Sequence, residues 1–231
     1  MTKQERLTSN PDVNRFLENT RWSMKGNFLD VPTDCPTRER LGWTGDAQVF
    51  FDTAAYLMGV ASFFRKWLRD VQDAQANSGK VAAVVPYNGI AMMYDATGGS
   101  VGWGDALVLV QYRFWKRYGD TDLIREFYPM MRAYATFMLA RSGHKDKQAA
   151  AANPYNRYVY EKGFHLGEWL EPEEFRDKVS GRAAPPRTEE PTAYLHYTLA
   201  HLAETRGGIT PRCTSRAGTE RGSRLASPNQ L

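Results

Sequence analysis

The residues best suited to chemistry lie within thirteen positions, where three carboxylates stand among arginines and a tryptophan. They are Asp34, Arg38, Glu39, Arg40, Trp43 and Asp46. A carboxyl group near like charges or against an indole has a raised pKa and can donate a proton, whereas a neighbouring arginine keeps a carboxylate ionised. An indole also provides an apolar wall against which a sugar ring can pack. This combination favours proton transfer to a polar substrate.

Simpler structural roles are open to the same residues. Asp46 stands where an N-cap or a first-turn acid would stabilise the helix that follows it. Arg38 and Arg40 have the character of surface residues that form salt bridges. The spacing of these residues is therefore suggestive, and on local evidence both kinds of role stay open.

Two later clusters again join an acid to an indole beside a glycine. The first contains Gly102, Trp103, Gly104 and Asp105, and the second contains Phe164, His165, Gly167, Glu168 and Trp169. Helix capping alone would explain Asp105, and a buried structural role is expected for His165. Three loops that each pair a carboxylate with a tryptophan form a more specific pattern than any one of them.

Other chemistries lack their signatures. The spacing of the four histidines and two cysteines does not match a metal site. The cysteines, Cys35 and Cys213, are predicted to be free thiols. There is no glycine-rich phosphate loop before a helix and no GxSxG nucleophile elbow. No cofactor and no metal are therefore expected, and carboxylates with indoles point to carbohydrate, with glycoside hydrolysis as the reaction.

The elements that must position these loops are helices. Apolar residues recur at helical spacing in five segments. These predicted helices cover about residues 11–19, 46–73, 105–118, 120–138 and 192–204. The intervening segments 22–44 and 81–104 are rich in glycine, proline and aromatic residues and are predicted as irregular loops. An all-α fold of helical hairpins in series follows, in which the loops at one end collect on one face.

Composition and charge exclude several classes of protein. The 231 residues are 42% hydrophobic, enough for a folded core, and the net charge is +4. The segment 207–231 has four arginines, one acid and no aromatic residue, so it carries +3 of that charge and is predicted to be a disordered basic tail. A nucleic-acid partner is disfavoured because this basic excess lacks aromatic residues.

Membrane association and secretion are not predicted either. The longest uncharged apolar stretch, 81–86, is far too short to span a bilayer. The first thirty residues contain charges and no apolar segment of the kind that a signal peptide requires. The sequence therefore predicts a cytoplasmic protein with neither a membrane nor a nucleic acid as partner.

Residues 26–48 also resemble the signature of bacterial α-L-rhamnosidases, glycoside hydrolase family 78. The runs 102–106 and 118–120 resemble the next motif of that family, and Gly167-Glu168-Trp169-Leu170 resembles its later Gly-Asp-Trp-Leu element. The similarity extends over about residues 8–206. It implies a partial (α/α)6 barrel, about half of the six-hairpin toroid, and hydrolysis of terminal α-L-rhamnose with inversion of configuration.

The resemblance also assigns roles to individual residues. Glu39 matches the general acid, and Trp103 and Trp169 match aromatic walls of the sugar pocket. Asp34, Arg38, Trp43 and Asp46 match rhamnose-binding or supporting positions, and Asp105 and Glu168 are weaker substrate-binding candidates. The expected ligand is a rhamnose-containing glycoside or oligosaccharide.

The sequence departs from the family pattern in three respects. Glu168 replaces the usual aspartate, no β-sandwich module precedes the catalytic domain, and about five helices are found where the barrel needs twelve. The implied domains are a partial catalytic domain at 1–206 and an unrelated tail at 207–231, for which a shift of reading frame is our hypothesis. In this family the general base comes from a much later segment, so this chain is expected to lack it.

Two further expectations follow from an incomplete barrel. The alternative to catalysis is a sugar-binding or assembly fragment of the same fold that retains the tryptophans without the full pair of carboxylates. Uncovered helix faces predict self-association of the chain. If a general base is nevertheless present, Glu161, Glu168 and Glu171 are the candidates.

Overall fold

A computed structural model describes residues 8–87, 99–143, 146–163, 165 and 189–209. Within these ranges the chain forms seven α-helices and one 3-10 helix, Pro154–Tyr158. The α-helices are α1 Pro11–Asn27, α2 Thr44–Leu57, α3 Ala61–Asp73, α4 Ala106–Tyr118, α5 Thr121–Arg141, α6 Lys147–Ala152 and α7 Glu189–Ile209. The β-structure of the described residues is limited to isolated bridges. The predicted all-α class is confirmed.

Helix α1 begins where the sequence predicted. The Asn10 side chain accepts hydrogen bonds from the amides of Asp12 and Val13, and Pro11 occupies the first turn. The predicted end at Asn19 was wrong, because the helix continues to Asn27. Arg21 and Met24 are buried on the core side, and this tertiary packing sustains a segment whose local sequence does not favour a helix.

The predicted long helix over 46–73 is two helices, α2 and α3. The chain is extended at Met58, with φ −147° and ψ 159°, and turns before α3 begins at Ala61. Met58 and Val60 are both buried in the core, so the apolar pattern continues through the break. Hydrophobic spacing alone therefore could not reveal it.

The predicted hairpin of α4 and α5 is present. Gly119 ends α4 in the left-handed region, with φ 69°, and the Asp120 side chain accepts from the amide of Leu123 at the start of α5. The two helices pack against each other, and α2 and α7 pack against α4. The core between them is strongly aromatic, with Phe51, Phe64, Trp67, Phe114 and Phe127 almost completely buried. Each of these side chains contributes about 2–3 kcal/mol by its removal from water.

The last part of the described chain differs from expectation at its boundaries. Helix α6, which contains the four consecutive alanines, was not predicted. Helix α7 is longer at both ends than the predicted 192–204 and runs to Ile209, so the expected domain boundary at 206 lies within it. Residues 210–231 lie outside the described residues. Among the helices that are described, none is both long and apolar enough to cross a membrane.

Candidate active site

A cavity of about 610 Å³ lies where three helices begin. It is lined by Gly45 and Asp46 at the start of α2, and by Glu190 and Tyr194 at the start of α7. The segment before α4 contributes Gly102 and Trp103, and the end of α1 with the following segment contributes residues such as Asn27 and Asp34. The predicted collection of loops on one face therefore occurs for these elements. Such a cleft has the size of a small-molecule site.

The segment 28–43, here called the acid loop, is held by its own backbone. The amide of Arg40 donates to the carbonyl of Cys35 at 2.8 Å. The amide of Asp34 donates to the carbonyl of Leu41 at 3.2 Å. Arg40 has a φ of 58°, in the left-handed region that residues other than glycine seldom adopt. The loop thus stores backbone strain directly beside Glu39.

The end of the acid loop is fixed to the segment 81–87. The amide of Val85 donates to the carbonyl of Gly42 at 2.8 Å. The amide of Thr44 donates to the carbonyl of Ala83 at 2.8 Å. Gly42 lies so close to the carbonyl of Val85 that a Cβ atom would collide with it. A glycine is therefore required there, and the start of α2 is held in place.

Glu39 is oriented by two donors within the acid loop. The Trp43 indole Nε1 donates to Glu39 Oε2 at 3.1 Å, and the Arg38 guanidinium donates to Oε1 at 3.0 Å. The Glu39 side chain is 33% exposed and that of Arg38 is 79% exposed. An ion pair so open to water adds little stability, so its effect is to orient the carboxylate. Trp43 thus contacts Glu39 and is not part of the cavity lining.

Asp34 lines the cavity and lies next to Glu39, whereas neither Glu39 nor Arg38 is part of the cavity lining. One side-chain atom each of Asp34, Cys35 and Glu39 lies within 4.8 Å of the other two, and Asp34 also lines the cavity. Cys35 is a free thiol, as predicted, and its pKa is raised chiefly by a hydrogen bond to the Asp34 carboxylate. These ligand types could hold a cation, but Arg38 and Trp43 already donate to both oxygens of Glu39.

Asp46 lies in the first turn of α2 and on the wall of the cavity. The N-cap position belongs to Trp43, so of the two structural roles considered for Asp46 only that of a first-turn acid applies. Burial raises the pKa of Asp46 most, and the negative charges of Asp34 and Glu39 raise it further. The cavity thus contains a carboxyl group that holds its proton to higher pH than usual.

Trp103 forms an apolar wall of the cavity. Its indole packs over Gly45, which leaves no space for a Cβ atom at that position of α2. The indole Nε1 is buried, and it has no hydrogen-bond partner in the part of the chain that the structure describes. Trp103 therefore offers the cavity an apolar ring face, which suits the packing of a sugar.

Asp105 lies behind this wall and is completely buried. The amide of Gly102 donates to its Oδ2 at 2.7 Å, and the hydroxyl of Thr198 on α7 donates to its Oδ1. The capping explanation was wrong, because no amide of α4 donates to the Asp105 side chain. Burial raises the pKa of Asp105 to about 6, although its hydrogen bonds oppose this shift.

His165 has the buried structural position that the sequence suggested. Its Nδ1 accepts from the amide of Val101 at 3.2 Å, so the ring proton is assigned to Nε2, which faces the carbonyl of Lys162. The histidine therefore supports the backbone just before the Trp103 wall. Glu168 and Trp169 lie outside the described residues.

Several lining residues were not recognised as site residues from the sequence, among them Tyr194 and Glu190. Tyr194 was assigned to the apolar pattern of its helix, but it lines the cavity and its hydroxyl accepts from Gln48 Nε2 at 2.9 Å. Glu190 precedes Pro191 at the start of α7, and it also lines the cavity. The one available signal was their position near a helix start, which the clusters at 34–46 and 102–105 share.

Residues 5–208 match the family model of the bacterial alpha-L-rhamnosidase six-hairpin glycosidase domain. The chain belongs to this family. The resemblance seen in its motifs is confirmed, and the helices described above are part of an all-α toroid of the six-hairpin kind.

Curated members of the family are clearly similar in sequence. The alpha-L-rhamnosidase of Streptomyces avermitilis is 38% identical over 164 residues, which are 71% of this chain and 14% of that protein. One from Formosa agariphila is 35% identical over 164 residues, 68% of this chain and 17% of that protein. The chain thus spans roughly one seventh to one sixth of the length of these relatives.

Solved structures of the family share the fold. The crystal structure of the Streptomyces avermitilis alpha-L-rhamnosidase complexed with L-rhamnose matches with a TM-score of 0.69 and 33% identity, over 88% of this chain and 17% of that one. The alpha-L-rhamnosidase of Aspergillus terreus matches with a TM-score of 0.66 and 29% identity, over 88% of this chain and 22% of that one.

Proposed function

We propose that this chain forms the sugar-binding and proton-donating part of an α-L-rhamnosidase site, with Glu39 as the general acid. The observation that carries the proposal is the position of Glu39. Trp43 and Arg38 orient its carboxylate, and it lies within 4.8 Å of Asp34, which lines the cavity. A general acid needs such a fixed orientation towards the glycosidic oxygen that it protonates.

The remaining lining residues suit the recognition of a neutral sugar. Asp34 and Asp46 offer carboxylate oxygens to hydroxyl groups, and Trp103 offers an apolar ring for the hydrophobic face of rhamnose. By resemblance to the family, Trp169 forms a second wall and Glu168 a further contact. The substrate is then a terminal α-L-rhamnose of a glycoside or oligosaccharide.

Inversion of configuration requires a second carboxylate at roughly 6.5–9.5 Å from the acid, so that a water molecule fits between the two. Asp34 does not meet this requirement, because the nearest pair of oxygens that it forms with Glu39 is within 4.8 Å. We propose that Asp34 binds substrate and that the general base comes from outside this chain. Within the cavity lining, Glu190 is the alternative source of a base.

The sugar-binding part of the proposal is tested by calorimetric titration of the full chain with L-rhamnose. We expect measurable binding that Trp103→Ala weakens by about tenfold or more, because the stacking face is lost. Trp22→Ala is the matched control, since Trp22 is 62% exposed and is not part of the cavity lining. An unmodified chain that does not bind L-rhamnose would overturn the proposal.

The catalytic part is tested with an aryl α-L-rhamnoside. If the base is external, the pure chain releases little or no rhamnose. Substantial turnover that Glu39→Gln abolishes would contradict the external base while supporting Glu39 as the acid. Glu190→Gln would then show whether Glu190 supplies the base.

The second candidate function is a sugar-binding or assembly fragment without catalysis. The proximity of Asp34 and Glu39 favours it, because carboxylate oxygens within 4.8 Å of each other are closer than the roughly 6.5–9.5 Å of an inverting pair. It predicts L-rhamnose binding that Trp103→Ala weakens and that Glu39→Gln leaves unchanged. A loss of binding in Glu39→Gln would count against it.

We also propose that the chain associates with itself. Tyr56 and Tyr197 are 42% and 39% exposed on α2 and α7, two helices that both pack against α4. Exposed apolar side chains of this kind favour association. Light scattering after size-exclusion chromatography should detect dimers or larger species, and a monomer at all concentrations would refute this.

A further inference from the structure

We propose that Asp105 is a positioning residue, which ties the loop of Trp103 to helix α7 through Thr198 and so sets the distance between two walls of the sugar cavity. Its sugar-binding consequence rests on the function proposed above. The hydrogen bond between Asp105 and Thr198, here called the tie, does not depend on that function.

The loop 99–105, here called the Trp103 loop, is held by His165 from another segment and by its own residue Asp105. His165 accepts from the amide of Val101, and Asp105 accepts from the amide of Gly102. The residue between Gly102 and Gly104 is Trp103, whose indole forms the wall. Because both amides just before the indole are bound to buried acceptors, its backbone has little freedom.

Helix α7 provides the opposite end of the tie. The hydroxyl of Thr198 donates to Asp105, and both residues are completely buried. Thr198 lies one helical turn after Tyr194, so the two side chains share a face of α7. Tyr194 itself lines the cavity and accepts from Gln48 on α2. Asp105 therefore links the Trp103 wall to the helix that carries the Tyr194 wall.

The chemistry of Asp105 explains why an acid is used here. A carboxylate has two oxygens that accept hydrogen bonds without any donor of its own, so it can join two donors from separate elements. Burial of a charge is costly, and it is tolerated where hydrogen bonds to that charge are made. An apolar residue of similar size would leave the Gly102 amide and the Thr198 hydroxyl without an acceptor.

The test replaces the hydroxyl and leaves Asp105 in place. Thr198→Val keeps the shape of the side chain but removes the donor, whereas Thr198→Ser keeps the donor. The matched control is Thr205→Val, which removes an equally buried hydroxyl of α7 that bonds only within its helix, to the carbonyl of His201. Amide hydrogen exchange of the Trp103 loop and calorimetric binding of L-rhamnose are measured for each.

We expect exchange in the Trp103 loop to be faster by about tenfold in Thr198→Val, the factor that corresponds to one lost hydrogen bond to a charged group. L-rhamnose should bind several-fold more weakly to this variant. Thr198→Ser should restore both values, and Thr205→Val should change neither. Equal exchange and equal affinity in the Thr198→Val and Thr205→Val proteins would overturn the proposal.

The two proposals fail in different ways. If the unmodified chain does not bind L-rhamnose, the proposed function fails, and the exchange measurement still decides whether the tie exists. If Thr198→Val does not fold, Thr198→Ala and Thr205→Ala give the same comparison with smaller side chains. An unchanged exchange rate in Thr198→Ala would then overturn the tie.

Discussion

The acid loop and the Trp103 loop use the same residue types in opposite ways. Each places an acid near a tryptophan just before a helix. In the acid loop, Glu39 is partly exposed and accepts from its neighbours Arg38 and Trp43. In the Trp103 loop, Asp105 is completely buried and accepts from Gly102 and from Thr198, which lies 93 residues away.

This difference separates an acid that is open to solvent, as the proposed general acid must be, from an acid that holds the structure around it. A partly exposed carboxylate held by partners of the same loop adds little stability and stays available to a ligand. A carboxylate that satisfies buried donors of two elements is required for packing. The pairing of acid and indole therefore identifies a region of the site, and the origin of the hydrogen-bond donors identifies the role of the acid.

The largest expected effect concerns how each loop is anchored. Gly42→Ala should destabilise the protein by about 3 kcal/mol or more, because the added methyl group meets the backbone carbonyl of Val85. Gly104→Ala should cost less, about 1–2 kcal/mol, since the atoms nearest to its methyl group belong to the Tyr134 side chain and not to the backbone. Urea unfolding measures both, with Gly26→Ala, which meets no atom within 4 Å, as the control. A larger loss in Gly104→Ala would reverse this comparison.

The next effect concerns the pH dependence that Asp105 adds to stability. Its pKa is about 6 in the folded chain and 3.8 in the unfolded one. Between these values the folded state holds a proton that the unfolded state has lost, so stability falls as the pH rises from 4 to 6 and is level above that. Relative to Asp105→Asn, the unmodified protein should lose about 3 kcal/mol over this range.

Neighbouring groups do not obscure this measurement. The pKa values of Tyr134, Tyr160 and Tyr194 are raised above 10 by burial, outside the range of interest. A difference in the free energy of unfolding that is independent of pH would show that Asp105 is ionised as readily as a surface acid.

The smallest effect concerns coupling among the acids of the cavity. The charge of Asp34 raises the pKa of Asp46, so Asp34→Asn should lower the midpoint at which Asp46 titrates. The titration of Asp105 should not change, because burial dominates its pKa and no acid of the acid loop contributes to it. Carboxyl chemical shifts followed by NMR against pH measure both residues, and an equal shift in both would remove the distinction between the two loops.

Several helix ends could be predicted from the residues next to them. Asn10 and Pro11 marked the start of α1, and Gly119 with Asp120 marked the junction of α4 and α5, because caps and helix ends depend on a few adjacent residues. The break between α2 and α3 at Met58 could not be predicted from the sequence. Its neighbours are buried on both sides, and burial preserves an apolar pattern whatever the backbone does.

The same limit applies to the candidate site. The motifs of the chain indicated the family, and the carboxylates and indoles indicated a sugar, since these follow from residue type and order. The roles of Asp105, Tyr194 and Glu190 depend on distances between segments far apart in the sequence. No local pattern contains those distances.

The sequence by itself therefore determined the helical class, the helix ends with strong caps, the family and the residue types of the site. The tertiary structure alone decided that Glu39 stays partly exposed beside the cavity lining and that Asp105 is completely buried. The physical reason is that residue type sets what a carboxylate can do, whereas burial and the donors brought to it by other helices set its protonation and its freedom to meet a ligand.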